Sequence, residues 1–240
     1  MNPDVWGTNR ASYGTYAPAA AFDAGLRAYM LRIYNYMASG LVLTGIVAYV
    51  AAASGFYASI AHTGLIWLVM LAPLGFVLAL SFGLHRMSAG TAQLLFWLYA
   101  GVMGLSLAGI FLVFTGASIA RVFFIAGGTF AAMSLYGYTT RRDLSAIGSF
   151  LMMGLIGIVL ASLVNLFIGS SALQFAISVI GVIVFTGLTA WDTQRIKEMY
   201  VENLDAELAG KTAVLGALTL YLDFINLFMI LLQFMGQRRD

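Results

Sequence analysis

The chain has 240 residues, 61% of them hydrophobic and 9% charged, whereas a soluble domain carries about 25% charged residues, so a water-soluble fold is excluded. A net charge of +2 is too small to point to a nucleic-acid partner. The absence of cysteine excludes disulfides, thiolate chemistry and cysteine-based metal centres.

Residues 1–24 are rich in Gly, Ala, Ser, Tyr and Pro and hold no apolar run of the length a signal peptide needs, so a mobile N-terminal tail is expected there. Seven apolar windows follow, at about 31–53, 64–84, 92–115, 118–138, 146–168, 172–193 and 213–235. Each matches the roughly 20 residues that carry a helix across a hydrocarbon core of about 30 Å. They are apolar around their whole circumference, which excludes the alternating pattern of a membrane β-barrel. The fold class is therefore an all-α membrane protein: a seven-helix transmembrane bundle over residues 25–236, with a short C-terminal tail at 237–240. Connections are short except for 194–212, whose charged residues, Arg195 to Lys211, predict a solvated loop.

An N-terminus in the cytoplasm places Arg10, Arg27, Arg32, Arg86, Arg141, Arg142, Arg195, Lys197 and Lys211 inside and Arg121, Arg238 and Arg239 outside. That asymmetry favours the N-in orientation, since cytoplasmic loops collect Lys and Arg. The Arg238 and Arg239 pair runs against it, and a re-entrant last segment would remove the conflict. The last window is nevertheless long enough to cross, so seven spans are kept. No cleavable leader and a multi-pass chain point to a bacterial inner (plasma) membrane, with the lipid bilayer as the principal partner.

Ionisable groups inside a membrane helix are costly, and each needs a partner, a wet cavity or a function. Asp192, near the end of the sixth span, and Asp223, about ten residues into the seventh, are the acids inside the apolar windows. If the sixth helix runs to about Tyr200 and the seventh starts near Lys211, Asp192 lies about 12 Å and Asp223 about 18 Å from the shared end. Two antiparallel neighbours then bring the carboxyls together, and such a pair shares a proton, because two charges at close range in low dielectric do not both ionise cheaply. Asp192 also suits a plainer role, paired with Arg195 or Lys197 at the helix end.

Thr219, Asp223, Asn226 and Gln233 follow i, i+4, i+7 and i+14 spacing on the seventh span, which lines their oxygens along one face. That stripe predicts a central last helix with a polar face turned into the bundle. Hard oxygen ligands of this kind suit protons, Ca²⁺ or Mg²⁺, while Asn226 and Gln233 also suit hydrogen bonds between helices. Arg86, beside His85 at the end of the second span, is a cation within reach of Asp192 or a topology anchor. Gly101, Gly104, Gly154 and Gly157 are expected where helices approach closely.

Enzyme classes fare poorly. A retinal protein needs a lysine within the last span, and Lys211 precedes it. His62 and His85 sit at helix ends without a nucleophile elbow beside them. The sequence before Asp192, Leu188-Thr189-Ala190-Trp191, lacks the glycine signature of intramembrane aspartyl proteases. The chain is read as a non-enzyme without cofactor or catalytic residues.

The segments Thr189-Ala190-Trp191-Asp192-Thr193-Gln194 and Leu218-Thr219-Leu220-Tyr221-Leu222-Asp223-Phe224-Ile225-Asn226-Leu227-Phe228 resemble the transmembrane Bax inhibitor motif family. Phe130 to Tyr138 with Arg141-Arg142-Asp143-Leu144-Ser145 is similar to the family's connection between the fourth and fifth spans. The resemblance covers about residues 25–236. It implies a seven-helix bundle with a central last helix and a pH-sensitive calcium leak, with Ca²⁺ as the permeating ion. It also implies that Asp192 and Asp223 form a proton-sensing pair that touches Ca²⁺ in passing, that Thr219 and Asn226 belong to a polar pore stripe, and that Arg86 latches to the first aspartate. Some members carry an acid within the second span, and residues 64–84 here contain none. A second reading is a non-conducting membrane regulator that binds another membrane protein, such as a quality-control protease.

Overall fold

A computed structural model describes residues 16–201 and 205–239. The elements are α1 (Tyr16–Ala53), α2 (Phe56–Ala61), α3 (Leu65–Gly83), α4 (Ala89–Leu107), α5 (Ile110–Val113), α6 (Gly116–Thr139), α7 (Ser145–Ile168), α8 (Ser171–Glu198) and α9 (Ala206–Met235). Among the described residues there are seven helical segments long and apolar enough to cross a membrane: α1, α3, α4 with α5, α6, α7, α8 and α9. The seven-helix expectation therefore holds. The end of the bundle that carries the α8–α9 connection is called proximal below, and the opposite end distal.

α9 is the central helix: 67% of its apolar window is buried, against 11% for α3 and 17% for α7. It packs on α1, α4, α6 and α8, while α3 leans chiefly on α4 and α7 chiefly on α8. The outward faces of α3 and α7 carry exposed Trp67, Phe82, Phe150 and Phe167, as expected where the solvent is hydrocarbon. Pro73 lies inside α3, where its missing N–H frees the carbonyl of Val69. Ser106 on α4 donates its hydroxyl to that carbonyl, so the backbone acceptor is satisfied across the helix pair.

Several boundaries differ from the sequence expectation. Residues 16–24, expected in the tail, are helical, in keeping with the alanines at 19, 20, 21 and 24; residues 1–15 lie outside the described residues. The loop expected at 194–212 contracts to 199–205, because α8 continues to Glu198 and α9 begins at Ala206. An i, i+4 ion pair of Lys211 with Glu207 at 3.3 Å supports this first exposed turn, and Glu207 also accepts from the backbone N–H of Ala89 at 2.7 Å. The connection at 54–63, between the first two windows, contains α2, which buries Tyr57 and Ile60.

α9 is one continuous helix of 30 residues, about 45 Å long, so it crosses and is not re-entrant. The chain beyond it docks at the distal end in an extended, antiparallel bridge between Arg238 and Phe114. Thr115 N–H donates to Gln237 O at 3.0 Å, Arg239 N–H to Val113 O at 2.9 Å, and Gln237 N–H to Ser118 Oγ at 2.9 Å. Arg238 and Arg239 thus share the distal end with Arg121.

Candidate functional site

The segment Thr189 to Gln194 on α8 sends successive side chains to different neighbours. Ala190 presents its backbone to Gly137 of α6, leaving no room for a β-carbon there. Trp191 covers Gly148 of α7 and carries the Arg195 guanidinium 5.5 Å above its ring. Thr193 bonds Ser134 of α6 at 2.9 Å. Gln194 brackets the α6–α7 connection, accepting from Leu144 N–H at 2.8 Å and donating to Arg142 O at 2.8 Å. Asp192 is the side chain of this segment that turns to α9.

The register of α8 against α9 is fixed by two glycine contacts, Gly216 against Ile196 and Gly181 against Ile230. Seven residues along α9 from Gly216 is Asp223, and seven back along α8 from Ile196 is Thr189. Asp223 is therefore level with Thr189, about one turn from Asp192. Helical side chains lean toward the N-terminus of their own helix, and these helices are antiparallel. Asp192 leans distally, Asp223 leans proximally, and their carboxyls come within reach of each other across the seam. Asp192 is 8% exposed and Asp223 6%, and Asp223 Oδ2 is buried without a hydrogen-bond partner. Two ionised carboxylates are acceptors only; a proton on either supplies the donor that this site lacks.

The structure does not bring Arg86 to the pair. It is exposed at the end of a 3₁₀ turn, Leu84–Arg86, after α3, and among the described residues it forms no ion pair with either aspartate. Arg195 is a cation near Asp192, one turn further along α8, but among the described residues no ion pair joins the two, and its guanidinium lies over the Trp191 ring.

The polar stripe on α9 is only partly inward. Thr219 spends its hydroxyl on Leu215 O, 3.1 Å away in its own helix, and Asn226 is half-buried. Gln233 is exposed at the distal end and accepts from Gln174 at 2.9 Å, which in turn accepts from Asn165 at 3.1 Å. Gln233 thus acts as the interhelical fastener that the composition also allowed. Two carboxyls fall far short of the 6–8 oxygens that hold a resident Ca²⁺, and among the described residues no cluster of three or more His, Asp or Glu side chains is present.

Five hydroxyl residues received no role in the sequence reading. Tyr34, Ser134 and Thr193 form a hydroxyl chain: Tyr34 to Ser134 at 2.6 Å, Ser134 to Thr193 at 2.9 Å, and Thr193 to the carbonyl of Thr189 at 2.7 Å. Tyr221 bonds Thr44 at 2.7 Å, and Thr44 donates to Ala100 O at 2.8 Å, tying α9 to α1 and α4. Gly104 packs on the Thr44 backbone, whereas Gly101 and Gly157 face open space. Isolated hydroxyls inside apolar windows were the available signal, and their partners lie up to 177 positions away.

Fold and site together define a seven-span membrane protein with a buried carboxyl pair at the seam between α8 and its central helix, α9. Residues 26–240 match the family described as inhibitor of apoptosis-promoting Bax1, and the chain belongs to that family. A Rickettsia prowazekii protein is 54% identical over 220 residues, 91% of this chain and 93% of its own length. The inner membrane protein YbhL of Escherichia coli K12 is 50% identical over 220 residues, 90% of this chain and 94% of its own. A Borreliella burgdorferi protein is 43% identical over 215 residues, 88% and 93% of the two chains.

Proposed function

We propose that this protein is a pH-sensitive calcium leak channel of the bacterial inner membrane, gated by Asp192 and Asp223. The observation that carries the reading is the meeting of two buried carboxyls on neighbouring helices, one oxygen of which has no partner. With one proton between them they hold α8 and α9 together. Without it, two negative charges face each other in low dielectric and repel. A divalent cation passing the seam satisfies the same oxygens, so protons and Ca²⁺ compete for the pair. Ca²⁺ is cargo here, and the small donor set suits passage rather than residence.

Arg195 supplies the positive charge near the pair in this arrangement, in place of the Arg86 latch. The distribution of basic residues supports a cytoplasmic proximal end: Arg27, Arg32, Arg86, Arg141, Arg142, Arg195, Lys197 and Lys211 lie there, against Arg121, Arg238 and Arg239 at the distal end. The chain has no cysteine, so single cysteines placed at 88 and 170 report the sidedness directly by membrane-impermeant labelling.

The function is tested by Ca²⁺ entry into liposomes holding the purified protein across about pH 6 to 8, since two carboxyls at close range in low dielectric share a proton. Flux above empty liposomes that varies with pH supports the channel. Flux at the empty-liposome level throughout, with the protein folded, removes it and leaves the non-conducting regulator of another membrane protein.

A further inference from the structure

α1 and α6 both pack on the central α9 but barely touch each other, and the gap between them is a cavity of about 390 Å³. Its walls are apolar, with Met30, Leu31, Phe130, Ala131 and Leu135 among them, and Leu31 and Leu135 are exposed at its mouth. The groove spans Phe130 to Tyr138 along α6, about 12 Å, within the depth of two membrane-crossing helices. Hydrocarbon is therefore the medium that meets its opening.

The hydroxyls on its floor offer no donor to a visitor. Thr193 donates to Thr189 O, so it accepts from Ser134, and Ser134 in turn accepts from Tyr34. Every proton of these three hydroxyls is committed toward the protein interior, which leaves Tyr138, at the proximal end of the lining, as the hydroxyl a visitor meets, at the level of the rim. The proximal rim is different. Arg27 lies on it, exposed, and makes no ion pair with Asp23 or any other acid among the described residues. Tyr138, in the same lining, accepts at its backbone carbonyl from Lys197 at 2.9 Å, and the Lys197 ammonium sits 5.8 Å from the Tyr138 ring centre. Arg141 and Arg142 follow directly after α6.

The geometry points to a binding site for an anionic phospholipid of the surrounding bilayer, with one acyl chain in the α1–α6 groove and its phosphate on Arg27. Apolar walls below a basic rim at headgroup depth match an amphiphile of that charge and no polar solute. Ser134 lines the groove and bonds Thr193 behind it, the residue next to Asp192 on α8, so a bound lipid is separated from that turn by one side chain. The site stands apart from the leak reading and survives its failure.

The test is native mass spectrometry of the full chain in detergent, offered phosphatidylglycerol or phosphatidylcholine at equal concentration. Phosphatidylglycerol is expected to be retained over phosphatidylcholine. Arg27→Gln is expected to reduce its retention about fivefold, the value of one basic residue near an anionic surface. Leu135→Trp, which fills the mouth, is expected to reduce retention of both lipids, and Ala131→Leu serves as a smaller plug should the tryptophan disturb folding. Arg121→Gln at the distal end is expected to change nothing. Equal retention of the two lipids by wild type overturns the proposal, as does retention by Arg27→Gln matching wild type. Competition by glycerophosphate alone as effective as by the whole lipid also overturns it, because that marks a headgroup site without the groove.

Discussion

The backbone of Ala190 fills the space that a β-carbon on Gly137 would take, and this close approach seats α8 on α6 two residues before Asp192. A side chain at 137 has to push the two helices apart. Gly137→Leu is expected to destabilise the protein by about 1–3 kcal/mol, the cost of overfilling a packed interface. Thermal unfolding in detergent reads that loss, while Gly157→Leu, with open space around it, is expected to leave the midpoint in place.

Gln194 holds both the N–H of Leu144 and the carbonyl of Arg142, and so closes the α6–α7 connection onto α8. Gln194→Ala strands a buried donor and a part-buried acceptor, at a cost of about 1–3 kcal/mol. Gln194→Glu keeps the acceptor and loses the donor, and its unfolding midpoint is expected between those of wild type and the alanine variant.

The contacts of Thr44 with Tyr221 and Ala100 predict an asymmetry. Tyr221→Phe leaves Thr44 still donating to Ala100 and is expected to lose only the net value of one hydrogen bond, about 1 kcal/mol. Thr44→Val leaves the buried Tyr221 hydroxyl without its partner and is expected to cost more. Equal losses in unfolding experiments contradict the donor direction assigned to this chain.

Asp143, in the α6–α7 connection outside the spans, accepts from Ser145, whose side chain and backbone N–H both hold its carboxyl below the usual range. A depressed folded value means that this contact supports the fold above the unfolded value of about 3.9 and fades as pH falls through the folded one. Carbon-13 titration of the Asp143 carboxyl is expected to give a midpoint below about 3.9, and Ser145→Ala is expected to raise it. An unchanged midpoint in that variant removes the assigned cause.

Hydropathy made the seven spans legible because each window must be apolar to cross at all. Asp223 made the central position of the last helix legible, since an acid there has to face protein. What the sequence hid has specific causes. Residues 16–24 read as tail because their alanines favour helix without any apolar periodicity. The α8 and α9 ends outran their apolar windows because helices continue into water on charged residues such as Glu198 and Glu207. The depth estimate for Asp192 and Asp223 set the helix ends at Tyr200 and Lys211, whereas α8 stops at Glu198 and α9 starts at Ala206; the two carboxyls meet because each side chain leans toward the other across the seam. Arg86 matched a family role by its place in the chain, but the 3₁₀ turn that follows α3 leaves it in solvent. The Tyr34, Ser134 and Thr193 chain depends on contacts between distant helices that no local pattern encodes.

The central claim is that Asp192 and Asp223 act as one unit, and the most direct measurement is a double-mutant cycle on Ca²⁺ flux in liposomes across about pH 6 to 8. The account predicts that Asp192→Asn, Asp223→Asn and the double variant each lose the pH response to the same degree, because breaking either half dissolves the shared proton. Single variants that each keep part of the response, with effects that add in the double variant, contradict it.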